Sequence, residues 1–218
     1  TALHADRARR AIFTAASADA RYVLVGMGDG TVNIWEPASE KIIASSTKHS
    51  SAIFAAAFSP DSRFVVTGDT SGVLWFWNPM TGEPFRSIQD DPSAVYSVAV
   101  SAGGHVAVGR EDGNLSVFDA HTGQLLARKL AHPQGISTLA YSPDGYRLFT
   151  GGYDGLVTAW STPDYREVAT LPIQPIDDAP AKPDPRPSLL HFAPDSAHVT
   201  VFTEDGWLRT WDLRRPEE

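Results

Sequence analysis

The sequence predicts an all-β protein built from five like units, each of short antiparallel strands. Three observations carry this. Aromatic residues recur at Trp35, Trp77, Phe118, Trp160 and Trp211, spaced 42, 41, 42 and 51 residues apart. Six residues before each aromatic stands Asp29, Ser71, Asp112, Asp154 or Asp205, followed every time by glycine: Gly30, Gly72, Gly113, Gly155 and Gly206. About twelve residues further upstream lies a second turn sequence: SAD from Ser17, SPD from Ser59, SAGG from Ser101, SPD from Ser142 and APD from Ala193. Self-similarity at a fixed period of this size marks a repeat architecture.

Each element follows from these marks. The stretch before the upstream turn reads AIFTAAS, IFAAAFS, VYSVAVS, ISTLAYS or LLHFAPD, rich in β-branched and aromatic residues, and is the first strand. Between the two turns lie runs such as YVLVG, FVVTG and RLFTG, each long enough for one strand. The Asp-Gly step then turns the chain, because glycine supplies the positive φ a tight hairpin needs. The aromatic closes a third strand, as in GGYDGLVTAW, Gly151 to Trp160. A fourth follows another turn: KIIASS, PFRSIQ, QLLARKL and EVATLP. Four short strands in about 42 residues is the period of a β-propeller blade, so the expectation is five blades of four-stranded antiparallel sheet. The units run approximately over residues 11–48, 49–91, 92–131, 132–172 and 188–213 of a single propeller domain or part of one. The last stops after its third strand.

These units resemble WD repeats, the family of propeller blades ending in Trp-Asp. Trp211-Asp212 is the literal dipeptide, with Trp35-Glu36, Trp77-Asn78, Phe118-Asp119 and Trp160-Ser161 as variants. The family's Gly-His step before the first strand is altered to Lys48-His49 and Ala131-His132, and the third and fifth units lack the histidine. The resemblance implies a structural tetrad of that His, a second-strand Ser or Thr, the turn Asp and the Trp. By position only the fourth unit carries all four: His132, Thr150, Asp154 and Trp160. The second has His49, Thr67 and Trp77 but Ser71 in place of the aspartate. Members of the family often complete the last blade with their N-terminal segment, here Thr1 to Asp6, and most close with seven blades. Three completions are therefore open: a larger propeller of which these blades are part, a five-bladed ring, or a ring closed with another chain.

Composition narrows the function. The net charge of −8 disfavours a nucleic-acid surface. The chain has no cysteine, which excludes disulfides, thiolate metal sites and a cysteine nucleophile, and fits a reducing, cytoplasmic setting. No apolar run is long enough for a membrane helix. The seven histidines show no metal-ligand spacing, and Asp90-Asp91 and Asp177-Asp178 lack the alternating oxygen ligands of a calcium loop. VLVGMGDG, Val23 to Gly30, has the glycines of a nucleotide loop but is followed by a strand, where a helix N-terminus is required. GDTSG around Ser71 lies on the repeat frame, with no oriented base expected beside it. No catalytic, cofactor-binding or metal-binding residue is expected.

A propeller acts through loops that its blades hold rigidly, so departures from the repeat are the candidates. Tyr153 precedes a turn aspartate where other units have Gly28, Thr70, Glu111 and Glu204. Trp207 and Trp75 occupy third-strand positions that are otherwise small, polar or aliphatic. The Pro-rich connection Pro172 to Ser188 lengthens the fourth interval and favours extended backbone. The reading is a non-enzymatic platform for protein or peptide partners. Tyr153, Trp207, Trp75, Glu111 and Glu204 are its candidate contacts, and its acidity favours basic segments. The alternative is a sensor or regulatory domain of a larger multidomain protein that carries catalysis elsewhere.

Overall fold

The computed structural model describes residues 10–162, 164–173 and 186–214. Nineteen strands and no helix occupy these residues. The first sheet is formed in chain order by β1 (Ala11–Ala16), β2 (Val23–Met27), β3 (Val32–Glu36) and β4 (Lys41–Ser46). The second is formed by β5 (Ile53–Phe58), β6 (Val65–Asp69), β7 (Leu74–Trp77) and β8 (Pro84–Ile88). The third takes β9 (Val95–Val100), β10 (His105–Arg110), β11 (Asn114–Asp119) and β12 (Leu125–Leu130). The fourth takes β13 (Ile136–Tyr141), β14 (Arg147–Gly152), β15 (Leu156–Ser161) and β16 (Glu167–Pro172). The fifth has three strands among the described residues, β17 (Pro187–Phe192), β18 (His198–Thr203) and β19 (Leu208–Asp212). Each strand pairs with its chain neighbour in an antiparallel meander, the blade architecture that the repeat predicts. Packing divides the chain into two compact units, residues 1–100 and 101–218.

Both kinds of turn are built from the residues that mark them. In all five of these turns, four Asp-Gly and one Ser-Gly, the glycine N–H donates to the carbonyl three residues back, and its φ lies between 75° and 89°. In the upstream turns a serine hydroxyl donates to the aspartate two residues on, at 2.6 Å for Ser17–Asp19, Ser59–Asp61 and Ser142–Asp144. The same carboxylates accept the backbone N–H of Arg21, Arg63 and Tyr146. Hydrogen bonds from serine and backbone hold all three below the usual aspartate range, with burial opposing; at Asp144 burial is the largest single influence and is still outweighed. These turns also tie one sheet to the next. The Asp19 N–H donates to Ser62 Oγ within the first unit, and the Asp144 N–H to Ser196 Oγ within the second.

The core lies between successive sheets. In the first unit Tyr22, Leu24, Ile34, Ile53, Val65 and Trp77 form one buried cluster. In the second, Phe149, Val157, Leu190, Phe192, Val199 and Trp211 form another, with Phe149 and Phe192 edge to face at 5.1 Å. The fourth strands β4, β12 and β16 are largely exposed and carry Lys41, Lys129 and Glu167, charges that discourage edge pairing.

A column of glycines sets how closely the sheets approach. Nine residues before the aromatic of each of the first four units stand Gly26, Gly68, Gly109 and Gly151. A Cβ there would lie 2.8 Å from Ile53, 2.4 Å from Val95, 2.5 Å from Ile136 and 2.7 Å from Pro187 respectively, each on the first strand of the following sheet. The fifth unit has Phe202 at this place, 39% exposed.

Candidate interaction surface at the Asp-Gly turns

Two buried polar networks fix the ends of the second and fourth sheets. In the fourth, His132 Nδ1 lies 3.0 Å from both oxygens of Asp154, and Nε2 lies 2.8 Å from Thr150 Oγ1. The Trp160 indole N–H donates to the same Thr150 oxygen at 3.0 Å. Asp154 also accepts the Leu156 N–H at 3.1 Å and so pins the turn. The structure therefore joins His132, Thr150, Asp154 and Trp160 in one chain of hydrogen bonds.

The second sheet corrects the expectation that its aspartate is missing. His49 Nδ1 lies 2.7 Å from Asp69 Oδ2, and Nε2 lies 2.7 Å from Thr67 Oγ1. Trp77 Nε1 donates to Thr67 Oγ1 at 2.8 Å. The carboxylate comes from Asp69 at the end of β6, two residues before the frame position of Ser71. From there it still reaches the ring, because β6 runs beside the histidine. Asp69 Oδ1 accepts from the N–H groups of Ser71 and Val73 and from the Ser71 hydroxyl, at 2.9, 3.0 and 2.8 Å. Burial opposes its ionisation, but the bonds from His49, Ser71 and Val73 outweigh it and hold the carboxyl below its usual range. An ionised carboxylate only accepts, so the His49 Nδ1–H donates to it. The signal in the sequence was Thr67-Gly68-Asp69, a carboxylate directly after the strand that bears the threonine.

Hydroxyl, imidazole and carboxylate in this order have the form of a nucleophile, base and orienting group. Thr67 and Thr150 are both fully buried, and each accepts an indole N–H. No substrate atom reaches them, so the arrangement acts on strand geometry.

Among its described residues the fifth sheet shows no such network. Trp211 is 4% exposed, and its Nε1 is buried with no hydrogen-bond partner among the described residues. Ten residues upstream, where the other two networks have Thr67 and Thr150, stands fully buried Val201. Val201→Thr should therefore raise stability by about 1 kcal/mol, as the indole gains an acceptor and the hydroxyl a carbonyl on β19. Val199→Thr, also buried on β18 but outside that position, should lower it. Thermal unfolding of both variants checks this.

The candidate contacts divide by place. Trp75 lies in the first unit on β7, half-buried against Trp77 with ring centroids 5.9 Å apart. The others lie in the second unit. Tyr153 is half-buried and anchored by its N–H to the Gly135 carbonyl at 3.0 Å. Gly135 leaves room for the ring, since a Cβ there would lie 3.0 Å from Tyr153 Cδ2 and 2.8 Å from the Glu111 carbonyl. Burial pushes the Tyr153 phenol upward, the negative charges of Glu204 and Glu111 add to this, and Arg186 opposes it. Tyr153, Glu111 and Glu204 thus share one field at the Asp-Gly end of the second unit.

Arg186, which the sequence did not single out, sits among them. Its guanidinium lies over the Tyr153 ring, 5.6 Å from the centroid, and 3.7 Å from Glu204 Oε2. Its carbonyl accepts the Glu204 N–H at 2.9 Å. Trp207 follows in the same turn, 43% exposed, with its N–H donating to Thr203 Oγ1. The Pro-rich connection lies for the most part outside the described residues. Its described ends bind the turns: the Ile173 N–H donates to Gly155, and Arg186 receives Glu204. Residues 1–9, and with them Thr1 to Asp6, are also outside the description.

Three curated proteins resemble parts of the chain. The Periodic tryptophan protein 2 homolog of Neurospora crassa is 31% identical over 114 residues, 52% of this chain and 12% of that protein. Protein groucho of Drosophila melanogaster is 40% identical over 57 residues, 26% of this chain and 8% of that protein. Centriole proteome protein 16 of Chlamydomonas reinhardtii is 42% identical over 57 residues, 26% of this chain and 3% of that protein. The chain thus spans an eighth or less of the length of these relatives. The family model described as WD domain, G-beta repeat matches residues 40–78 and 123–161. Each matched segment takes in the fourth strand of one sheet and three strands of the next, and each contains one of the two histidine networks entire. Repeat period, blade topology and the two networks agree with the two matched segments, which are WD repeats set on sheets with the blade topology of a β-propeller.

Proposed function

We propose that the protein is a non-catalytic interaction platform whose Asp-Gly turns, in residues 101–218, receive a basic segment of a protein partner. The observation that carries this is the seat of Arg186. A guanidinium rests on the face of Tyr153 with Glu204 beside it and the charge of Glu111 within reach. Aromatic face and carboxylates together are the chemistry that holds arginine or lysine. The net charge of −8 steers such a segment toward the protein. Glu111 and Glu204 are exposed, and Trp207 adds apolar surface of the type enriched at interface hot spots.

The test is fluorescence anisotropy with a labelled peptide of alternating arginine and serine. Tyr153→Ala combined with Glu204→Gln should weaken binding at least about tenfold, which is about 1.4 kcal/mol. Glu167→Gln, which removes the same charge from the exposed β16, should leave it within about twofold. Equal losses from the two changes would reduce the effect to net charge and sink the assignment.

A further inference from the structure

The seat offered to a partner's basic residue is held by the chain itself. The Arg186 guanidinium lies 5.6 Å from the Tyr153 ring centroid and 3.7 Å from Glu204 Oε2, so one cation takes both the aromatic face and the carboxylate. Its charge also acts on the Tyr153 phenol, against those of Glu204 and Glu111. A second cation brought to the same face would stand beside the first, and like charges repel. Arg186 and a basic ligand therefore exclude each other from this place.

The side chain can leave while the backbone stays. The Arg186 carbonyl accepts the Glu204 N–H at 2.9 Å, and the next carbonyl, that of buried Pro187, accepts the Ser137 hydroxyl at 2.6 Å. The first of these bonds does not need an arginine. Ala52 and Gly135 accept the corresponding N–H groups of Thr70 and Tyr153 in the second and fourth sheets. The side chains of Arg186 and Glu204 are 40% and 49% exposed. Water replaces each contact as it breaks, and an exposed ion pair and an exposed cation–π contact are both weak. The fold thus fixes where the guanidinium starts from but holds it there only loosely.

We propose that Arg186 is a resident competitor for the partner's basic residue: its side chain closes the seat in the free protein and swings into solvent when an arginine or lysine of the partner displaces it. This rests on the function proposed above, since without a basic ligand there is nothing to exclude. Affinity falls by the fraction of molecules in which the seat is open. Contacts of this strength leave it open in roughly one molecule in three to one in ten.

Binding of the labelled peptide of alternating arginine and serine is compared across variants of the full chain by fluorescence anisotropy. Arg186→Gln should tighten it about three- to tenfold. Arg166→Gln makes the same change of charge on an exposed side chain in the turn between β15 and β16, and should alter binding by no more than about twofold. In the unaltered protein the Arg186 side-chain protons, seated over a ring, should resonate upfield of their usual positions, and saturating peptide should abolish that shift. Nothing is substituted in this second measurement, so folding is not at issue. Tightening by Arg186→Gln no greater than that by Arg166→Gln, weaker binding, or an upfield shift that survives saturation overturns the proposal. If Tyr153→Ala with Glu204→Gln abolishes binding but Arg186→Gln does not tighten it, the platform stands and the competitor alone falls. If the peptide binds neither the unaltered protein nor Arg186→Gln, both fall.

Discussion

Asp69→Ala lowers the stability of the protein by about 3–5 kcal/mol, because it leaves several buried donors without an acceptor at about 1–3 kcal/mol each. The side chains of Asp69 and His49 are both wholly buried. Without the carboxylate, the His49 Nδ1–H loses its acceptor in a place water does not reach, and the N–H groups of Ser71 and Val73 lose theirs. The loss propagates, because His49 also orients Thr67, and Thr67 receives the indole of Trp77 in the first unit's core. Ser71→Ala, at the position the repeat frame assigns to the aspartate, removes a single bond and should cost only about 0.5–1.5 kcal/mol. Urea unfolding of the two variants separates them. Similar small losses would mean that the histidine network carries little of the stability, and that the frame position matters as much as the strand end.

Gly113→Ala is the second large effect. Gly113 has φ +84°, and a Cβ there would lie 1.7 Å from the carbonyl oxygen of His132. The left-handed conformation costs alanine about 1–2 kcal/mol. Relieving the overlap requires movement of backbone, adding about 1–3 kcal/mol. That backbone precedes the fourth sheet and places the His132 ring. Gly206 has φ +89° at the same point of its own turn, but among the described residues nothing lies within 4 Å of its Cβ position. Gly206→Ala should therefore show the conformational cost alone. The difference between the two unfolding midpoints measures the steric part, and a difference near zero would show that the chain at His132 yields.

Much of this fold was legible in the sequence because it is written five times. A single Asp-Gly step is ambiguous, but four of them and one Ser-Gly on one repeat frame fix the hairpins, and the strands then fall into the intervals between them. The order and number of strands followed directly. Asp69 was not legible, because alignment on a frame assumes that a role stays at its position. A carboxylate at the end of β6 and one in the turn after β14 reach the same histidine nitrogen from backbone positions two residues apart, so chemistry was kept while position moved. Arg186 escaped for a different reason. It lies in a connection with no counterpart in the other units, and only the folded turns bring it over Tyr153. Trp75 and Trp207 looked alike in sequence, as large residues in unusual places. Burial separates them: Trp75 lies half-buried on Trp77, whereas Trp207 is 43% exposed at a turn.

The glycine column has a meaning for how such chains can be lengthened or shuffled. A sheet with glycine nine residues before its aromatic offers a socket for the first strand of a successor, as Gly26 does for Ile53 and Gly109 for Ile136. The first four units therefore share one connector and are exchangeable as predecessors. The fifth sheet has Phe202 at this place, and a successor joined in the same way would meet a benzyl group where the others meet a hydrogen atom. Giving the fifth sheet the socket of the other four takes one change, Phe202→Gly.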